Sequence, residues 1–130
     1  RAHDPTRALE VLESLNLLSL ADMDVAKLNT GQLKLLELAR AMAGGPRYLL
    51  LDEVFAGLNP AEKAYVSEAV VRFARSRGIG VLVVEHDLKT IFSLSQRVVV
   101  LHLGEVLAQG TPDRVASDES VIAAYTGGAT

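Results

Sequence analysis

Two adjacent acidic residues, Asp52 and Glu53, directly follow an apolar run in the segment YLLLDE. In open parallel sheets, ligands collect where the strands reach their carboxyl ends, so this position favours a functional site. Neighbouring carboxylates repel each other unless their tasks differ. One of them can hold Mg²⁺ through water while the other orients a nucleophilic water. The pair therefore predicts metal-assisted attack by water at the end of a strand.

A second group of polar residues, His86 and Asp87, follows the next apolar run, VLVVE. If both runs are parallel strands, their carboxyl ends deliver these side chains to the same rim as the acids. A purely structural alternative is that Asp52 and Glu53 only begin a loop and that His86 precedes a helix cap at Asp87.

The segment LNTGQ, residues 28–32, is a candidate anion-binding element. Gly31 allows close approach of the backbone, and a helix beginning there points its free N–H groups and positive dipole end outward. The structural alternative is a capping box between Asn29 and Gln32, which are three residues apart. Both interpretations can hold, because a cap can fix the helix while its backbone donors bind.

Alternating strands and helices position these residues. Helices are predicted from Asp4 and Pro5 onward, from LNTGQ to Gly44, from Asn59 to Gly78, over DLKTIFSLS, and twice between Pro112 and Tyr125. Strands are predicted over YLLLD, over GVLVVEHD, and in a hairpin that turns near Gly104. The second helix carries an apolar stripe of Leu33, Leu36, Ala39 and Ala43, and the third carries Val66, Ala69, Val70 and Phe73.

This order of elements predicts an α/β layered fold with a parallel or mixed sheet flanked by helices. Both of the first two strands are apolar on their two faces, which is typical of strands covered by helices on both sides. The first thirty residues read as a helical appendage to that sheet.

Composition narrows the classes of function. The chain has 130 residues, a net charge of −3, 49% hydrophobic residues and no cysteine. These values predict a compact soluble domain without disulfides, and the scattered Lys and Arg residues disfavour nucleic acid as a partner. No apolar stretch approaches the roughly 18 residues that a membrane span needs. Because residue 1 is Arg, we expect the chain to be part of a longer protein.

The stretch from Leu28 to His86 resembles the second half of an ATP-binding-cassette (ABC) ATPase, the motor of ABC transporters. YLLLDE resembles the Walker B strand, with Asp52 at the Mg²⁺ position and Glu53 at the position of the catalytic carboxylate. His86 in VVEHD matches the switch histidine that reaches the γ-phosphate. These two motifs and the two described next occur in the order and spacing of the family, which makes the resemblance specific.

Two further motifs complete the resemblance. LNTGQ resembles the LSGGQ signature, which implies that Asn29, Thr30, Gly31 and Gln32 contact nucleotide bound by a second subunit. AGLNP resembles the D-loop, which implies that role for Ala56, Gly57, Leu58 and Asn59. In these terms residues 1–45 are the helical subdomain with the signature helix, and residues 46–130 run from Walker B to the end of a partial P-loop NTPase-type core.

The resemblance implies an ATPase that uses ATP and Mg²⁺ at the cytoplasmic face of a membrane. The implied partners are a second nucleotide-binding subunit, transmembrane permease subunits and, indirectly, a periplasmic or extracellular solute-binding protein. Segments such as LLELARAMA and GTPDRV are most similar to the importers of branched-chain or other hydrophobic amino acids. The related urea importers are nearly as similar to these segments.

Several departures from the family pattern bear on activity. A phosphate-binding loop needs G-x-x-x-x-G-K-[ST], and the chain contains no Gly-Lys pair. The family places this Walker A loop before the signature, upstream of Arg1, so we expect the chain alone neither to hydrolyse ATP nor to bind it tightly. We also expect apolar edges beside YLLLD and VLVVE to be exposed. The signature has Asn29 for Ser and Thr30 for Gly, while Val54 replaces the Pro that usually follows the acids.

Two other functions remain open at this stage. A soluble ABC ATPase of translation or DNA repair would carry the same four motifs, although such proteins usually have paired cassettes or long insertions. A non-enzymatic fragment that regulates or completes another cassette would explain the missing Walker A loop and the altered signature.

Overall fold

The computed structural model describes residues 5–127, which belong to two compact units, one ending at Glu85 and the other beginning at His86. The first unit contains α1 (Pro5–Ser14), α2 (Thr30–Ala43), β1 (Tyr48–Asp52), α3 (Pro60–Arg77) and β2 (Gly80–Val84). The second contains α4 (Leu88–Leu94), β3 (Val98–His102), β4 (Glu105–Gly110), α5 (Pro112–Ala116) and α6 (Glu119–Tyr125). Short 3-10 turns at Leu18–Leu20 and Val25–Lys27 join α1 to α2.

The predicted α/β class is confirmed, but the strands described form two separate two-stranded sheets instead of one larger sheet. In the first unit β1 and β2 are parallel, with Tyr48 opposite Gly80 and Asp52 opposite Val84. The crossover between them is α3, as expected for parallel neighbours. Both strands therefore reach their carboxyl ends at the same edge, next to Asp52.

Helix α3 begins and ends where the sequence predicts. Asn59 caps it in a reciprocal capping box with Glu62, and Pro60 occupies the first turn. Gly78 ends it with φ of 63°, a left-handed conformation that glycine adopts without steric cost. The chain then enters β2 two residues later, at Gly80. For α1, the predicted cap at Asp4 lies outside the described residues.

The hydrophobic core of the first unit lies on one face of the parallel pair. Leu49 and Leu51 are buried, whereas Leu50 between them is 72% exposed, because successive side chains of a strand point to opposite faces. The predicted inward residues of α3, namely Val66, Ala69, Val70 and Phe73, are all buried. The prediction that helices cover both faces of the sheet is wrong for this unit, since one face has exposed side chains. These are Tyr48, Leu50, Leu82 and Val84.

The predicted inward stripe of α2 is confirmed at Ala39 and wrong at Leu33, which is exposed, while Leu36 and Ala43 are half-buried. The other buried residues of the helix are Leu38 and Met42. The helix carries apolar residues on most of its circumference, so its periodicity does not select one face. Packing selects the buried face instead, because α2 lies against α1.

The second unit is built on the predicted hairpin. Strands β3 and β4 are antiparallel and turn through Leu103 and Gly104, which both have positive φ as a tight primed turn requires. The three helices of this unit begin at side-chain caps, Asp87, Thr111 and Asp118. Hydrogen bonds that Asp118 accepts from the Ser120 hydroxyl and backbone hold the pKa of its carboxyl below the usual value.

Among residues 5–127, no helix combines the length and the apolar character needed to cross a bilayer.

Candidate functional site

The two acids lie at the carboxyl end of the parallel pair. Asp52 is the last residue of β1, and both carboxylates are exposed. The Glu53 backbone N–H donates to the Val84 carbonyl at 2.9 Å, which extends the β1–β2 ladder by one more bond. Glu53 has φ of 49°, a left-handed conformation that is uncommon outside glycine, and the chain turns away from the sheet there. The acids thus stand at the edge where a parallel sheet binds ligands.

The loop that follows the acids is anchored by two apolar side chains. Phe55 is 1% exposed and Leu58 is also buried, and the Leu58 N–H donates to the Phe55 carbonyl at 3.2 Å. Ala56 and Gly57 between them are exposed, and Gly57 has φ of 82°. The segment of the predicted D-loop is therefore a turn anchored by the buried side chains of Phe55 and Leu58. Ala56 and Gly57 lie on its exposed side, and the turn leads into the Asn59 cap of α3.

A third carboxylate at this edge, Glu85, was missed by the sequence analysis. Its Oε1 accepts a hydrogen bond from the Phe55 backbone N–H at 3.1 Å. The available signal was its place directly after β2, which puts it at the same edge as Asp52. The contact joins the loop after β1 to the end of β2.

The LNTGQ segment forms the N-terminus of α2. The Asn29 side chain accepts from the Gln32 N–H at 2.8 Å, and the Gln32 side chain accepts from the Asn29 N–H at 3.0 Å. The capping box, which the sequence analysis gave as the structural alternative to anion binding, is therefore present. It leaves the N–H groups of Thr30 and Gly31 without an acceptor inside residues 5–127.

The structure brings LNTGQ beside the loop that follows the acids. A Cβ built on Gly31 would lie 3.7 Å from Leu58 Cδ2 and 3.9 Å from Glu62 Oε1. The N-termini of α2 and α3 are thus neighbours within the first unit. This places backbone donors of the signature-like segment next to the predicted D-loop.

His86 begins the second unit, directly before the Asp87 cap of α4. Asp87 accepts hydrogen bonds from the backbone N–H groups of Lys89 and Thr90, so the helix cap of the structural alternative is present here too. His86 itself is exposed. Its predicted contact with a phosphate stays a prediction.

Comparisons with known proteins agree with the four motifs. A family described as branched-chain amino acid ATP-binding cassette transporter matches residues 105–130. The high-affinity branched-chain amino acid transport ATP-binding protein BraF of Pseudomonas aeruginosa is 40% identical over 116 residues, 89% of this chain and 46% of that protein. The lipopolysaccharide export ATP-binding protein LptB of Acidithiobacillus ferridurans is 36% identical over 121 residues, 93% of this chain and 50% of that protein.

The fold comparison gives the same result. The crystal structure of the ADP conformation of MJ1267, an ATP-binding cassette of an ABC transporter, matches 98% of this chain and 52% of its own with a TM-score of 0.84 at 28% identity. The chain belongs to the ATP-binding proteins of ABC transporters. It corresponds to a carboxyl-terminal portion of them and spans about half the length of the relatives it matches.

The acidic side chains at the end of β1 are suitable ligands for Mg²⁺, the ion that similarity to ABC ATPases implies. Mg²⁺ usually keeps several waters and takes one or two carboxylates together with substrate phosphates. An exposed Asp52 at the strand end fits that role, whereas the described residues hold no cluster of three or more acidic or histidine side chains that would form a closed metal cage. The N–H groups of Thr30 and Gly31 at the start of α2 are donors of the kind that bind phosphate.

The capping box at Asn29 leads to a stability prediction. Asn29→Ala removes the acceptor for the Gln32 N–H and should lower the free energy of unfolding by about 1 kcal/mol. Asn29→Ser, which introduces the serine of the LSGGQ pattern, keeps an acceptor and should cost only about a few tenths of that. Urea unfolding measures both. Asn59→Ala, which breaks the equivalent box on α3, is the matched control, and an unfolding midpoint unchanged in Asn29→Ala alone would contradict the box.

Proposed function

We propose that this chain is the signature and Walker B portion of the ATP-hydrolysing subunit of an ABC importer. The subunit would couple ATP hydrolysis to uptake of branched-chain or other hydrophobic amino acids. The observation that carries the proposal is the position of Asp52 and Glu53 at the carboxyl end of a parallel pair, with the following loop packed beside the start of α2. Catalytic carboxylates of this kind need to lie where phosphates can reach them.

The proposed roles follow from the chemistry of each side chain. Asp52 would hold Mg²⁺ through water, and the ion would supply charge neutralisation at the phosphates. Glu53 orients and polarises the attacking water from an exposed position just past the strand end. His86 contacts the γ-phosphate and reports its presence. Catalysis then consists mainly of positioning and electrostatic stabilisation, as is usual for phosphoryl transfer.

The signature residues act in trans in this proposal. Two nucleotide-binding subunits pair head to tail, and Asn29, Thr30, Gly31 and Gln32 of one close over ATP held by the other. The amides of Thr30, which is exposed, and of Gly31, which is half-buried, support this arrangement, because the N-terminus of α2 favours an anion. Ala56, Gly57, Leu58 and Asn59 form the D-loop beside them.

Closure of the pair would drive a transmembrane permease from the cytoplasmic face of the membrane, with a periplasmic or extracellular solute-binding protein as an indirect partner. The match of residues 105–130 to the branched-chain family and the similarity to BraF support an amino-acid solute. Similarity to LptB at 36% identity supports lipopolysaccharide export as a second candidate. Uptake of labelled leucine by membrane vesicles that contain the protein distinguishes the two.

The proposal is tested by comparing the isolated 130-residue chain with the protein that its source cells produce, captured with an antibody. The isolated chain should show no ATP turnover above background, because it has no phosphate-binding loop. The captured protein should hydrolyse ATP. Turnover by the isolated chain would overturn the assignment of a partial site. No turnover by the captured protein would favour the regulatory or split-subunit alternative.

A further inference from the structure

The side chain of Glu85 makes a long-range contact at the edge of the candidate site. Its Oε1 accepts from the Phe55 backbone N–H at 3.1 Å, across 30 residues of sequence. Glu85 is half-buried, so this bond is partly shielded from water. Hydrogen bonds to an ionised carboxylate are roughly twice as strong as neutral ones. The contact is therefore strong enough to fix a loop.

The loop that it holds starts at a strained residue. A left-handed non-glycine residue such as Glu53 is sterically strained and persists only where the surroundings impose it. Here the Glu53 N–H is bound by the Val84 carbonyl, and two residues later the Phe55 N–H is bound by Glu85. Burial of the Phe55 ring provides a third attachment.

These attachments tie residues 53 and 55 to the consecutive residues 84 and 85. We infer that Glu85 is a positioning residue that fixes the backbone around Glu53 and thereby aims the Glu53 carboxylate. The catalytic part of this inference rests on the proposed ATPase function. In this inference Glu85 acts through the backbone around Glu53 and takes no part in the chemistry itself.

Amide hydrogen exchange in the protein from its source cells tests the positioning directly. In Glu85→Ala the Phe55 amide should exchange about tenfold to a hundredfold faster, because a hydrogen bond to a charged group is lost. Glu85→Gln keeps a carbonyl oxygen at the same place, so protection of Phe55 should stay within about threefold of the wild type. Glu68→Ala, at an exposed site on α3, is the control. Unchanged Phe55 exchange in Glu85→Ala would overturn the inference.

ATP turnover by the protein from its source cells tests the consequence for catalysis. Glu85→Ala should lower kcat by about tenfold to a hundredfold with little change in KM for ATP, since a misaimed group affects the chemical step. Glu85→Gln should remain close to the wild type. A loss in Glu85→Gln equal to that in Glu85→Ala, with Phe55 still protected, would make Glu85 part of the chemistry and overturn its positioning role. If the wild type itself lacks turnover, the proposed function fails, and Phe55 exchange alone decides whether Glu85 fixes the loop.

Discussion

Leu49→Ala lowers the free energy of unfolding by about 2–5 kcal/mol, whereas Leu50→Ala changes it by about 0.5 kcal/mol or less. The two leucines are neighbours in β1, but Leu49 is 3% exposed and Leu50 is 72% exposed. Truncating Leu49 removes buried apolar contacts and leaves a cavity in the core. Truncating Leu50 removes atoms that already face water. The same substitution at adjacent positions thus compares the buried face of the sheet with its exposed face.

Urea unfolding of the 130-residue chain, followed by circular dichroism, measures both variants. Leu82→Ala is a second control, because Leu82 lies opposite Leu50 on β2 and is also exposed. Equal losses at Leu49 and Leu50 would contradict the one-sided core. A larger loss at Leu50 in the protein from its source cells than in the isolated chain would show that this face is covered there.

The position of the acids could be predicted from the sequence, because local chemistry determines it. A short apolar run that ends in Asp52 and Glu53 predicts a strand that stops at the acids, and β1 does end at Asp52. The start of α3 was equally predictable, since Asn59 followed by Pro60 is a strong cap signal. The hairpin at Gly104 followed from two β-branched runs around a glycine.

The buried faces of β1 and α2 could not be predicted, because tertiary packing determines them. β1 is apolar on both faces, so its sequence gives no reason why Leu49 should be buried and Leu50 exposed. In α2 the leucines surround the helix, and contact with α1 decides that Leu38 and Met42 face inward. An alternating or striped pattern would have identified each face.

Glu85 could not be assigned a role from the sequence for a different reason. Its partner is the backbone amide of Phe55, and a backbone group has no sequence signature. Asn29 and Gln32 show the opposite case, since their spacing of three residues predicts the capping box that is present. Local hydrogen bonds can therefore be predicted from the spacing of residues in the sequence. Long-range hydrogen bonds to the backbone can be identified only once the fold is known.

If the proposed function holds, Glu53→Gln should slow ATP hydrolysis by at least about 10²-fold while ATP binding is retained. Glutamine has nearly the shape of glutamate but carries no charge and cannot take up a proton from the attacking water. Loss of a general base costs about 10²–10⁴-fold in rate. Glu53 is exposed just past the end of β1, so glutamine, which has nearly the same shape, fits the same place. The variant should therefore fold normally and hold ATP in a closed pair of subunits.

The central measurement is the rate of ATP hydrolysis by the protein that its source cells produce, as wild type and as Glu53→Gln. Glu68→Gln on the exposed side of α3 is the matched control for the same chemical change. We predict that Glu53→Gln loses at least about 10²-fold in kcat, that it still binds ATP, and that the control is unchanged. Turnover in Glu53→Gln within about twofold of the wild type would contradict the assignment of Glu53 as the catalytic carboxylate, and with it the proposed site.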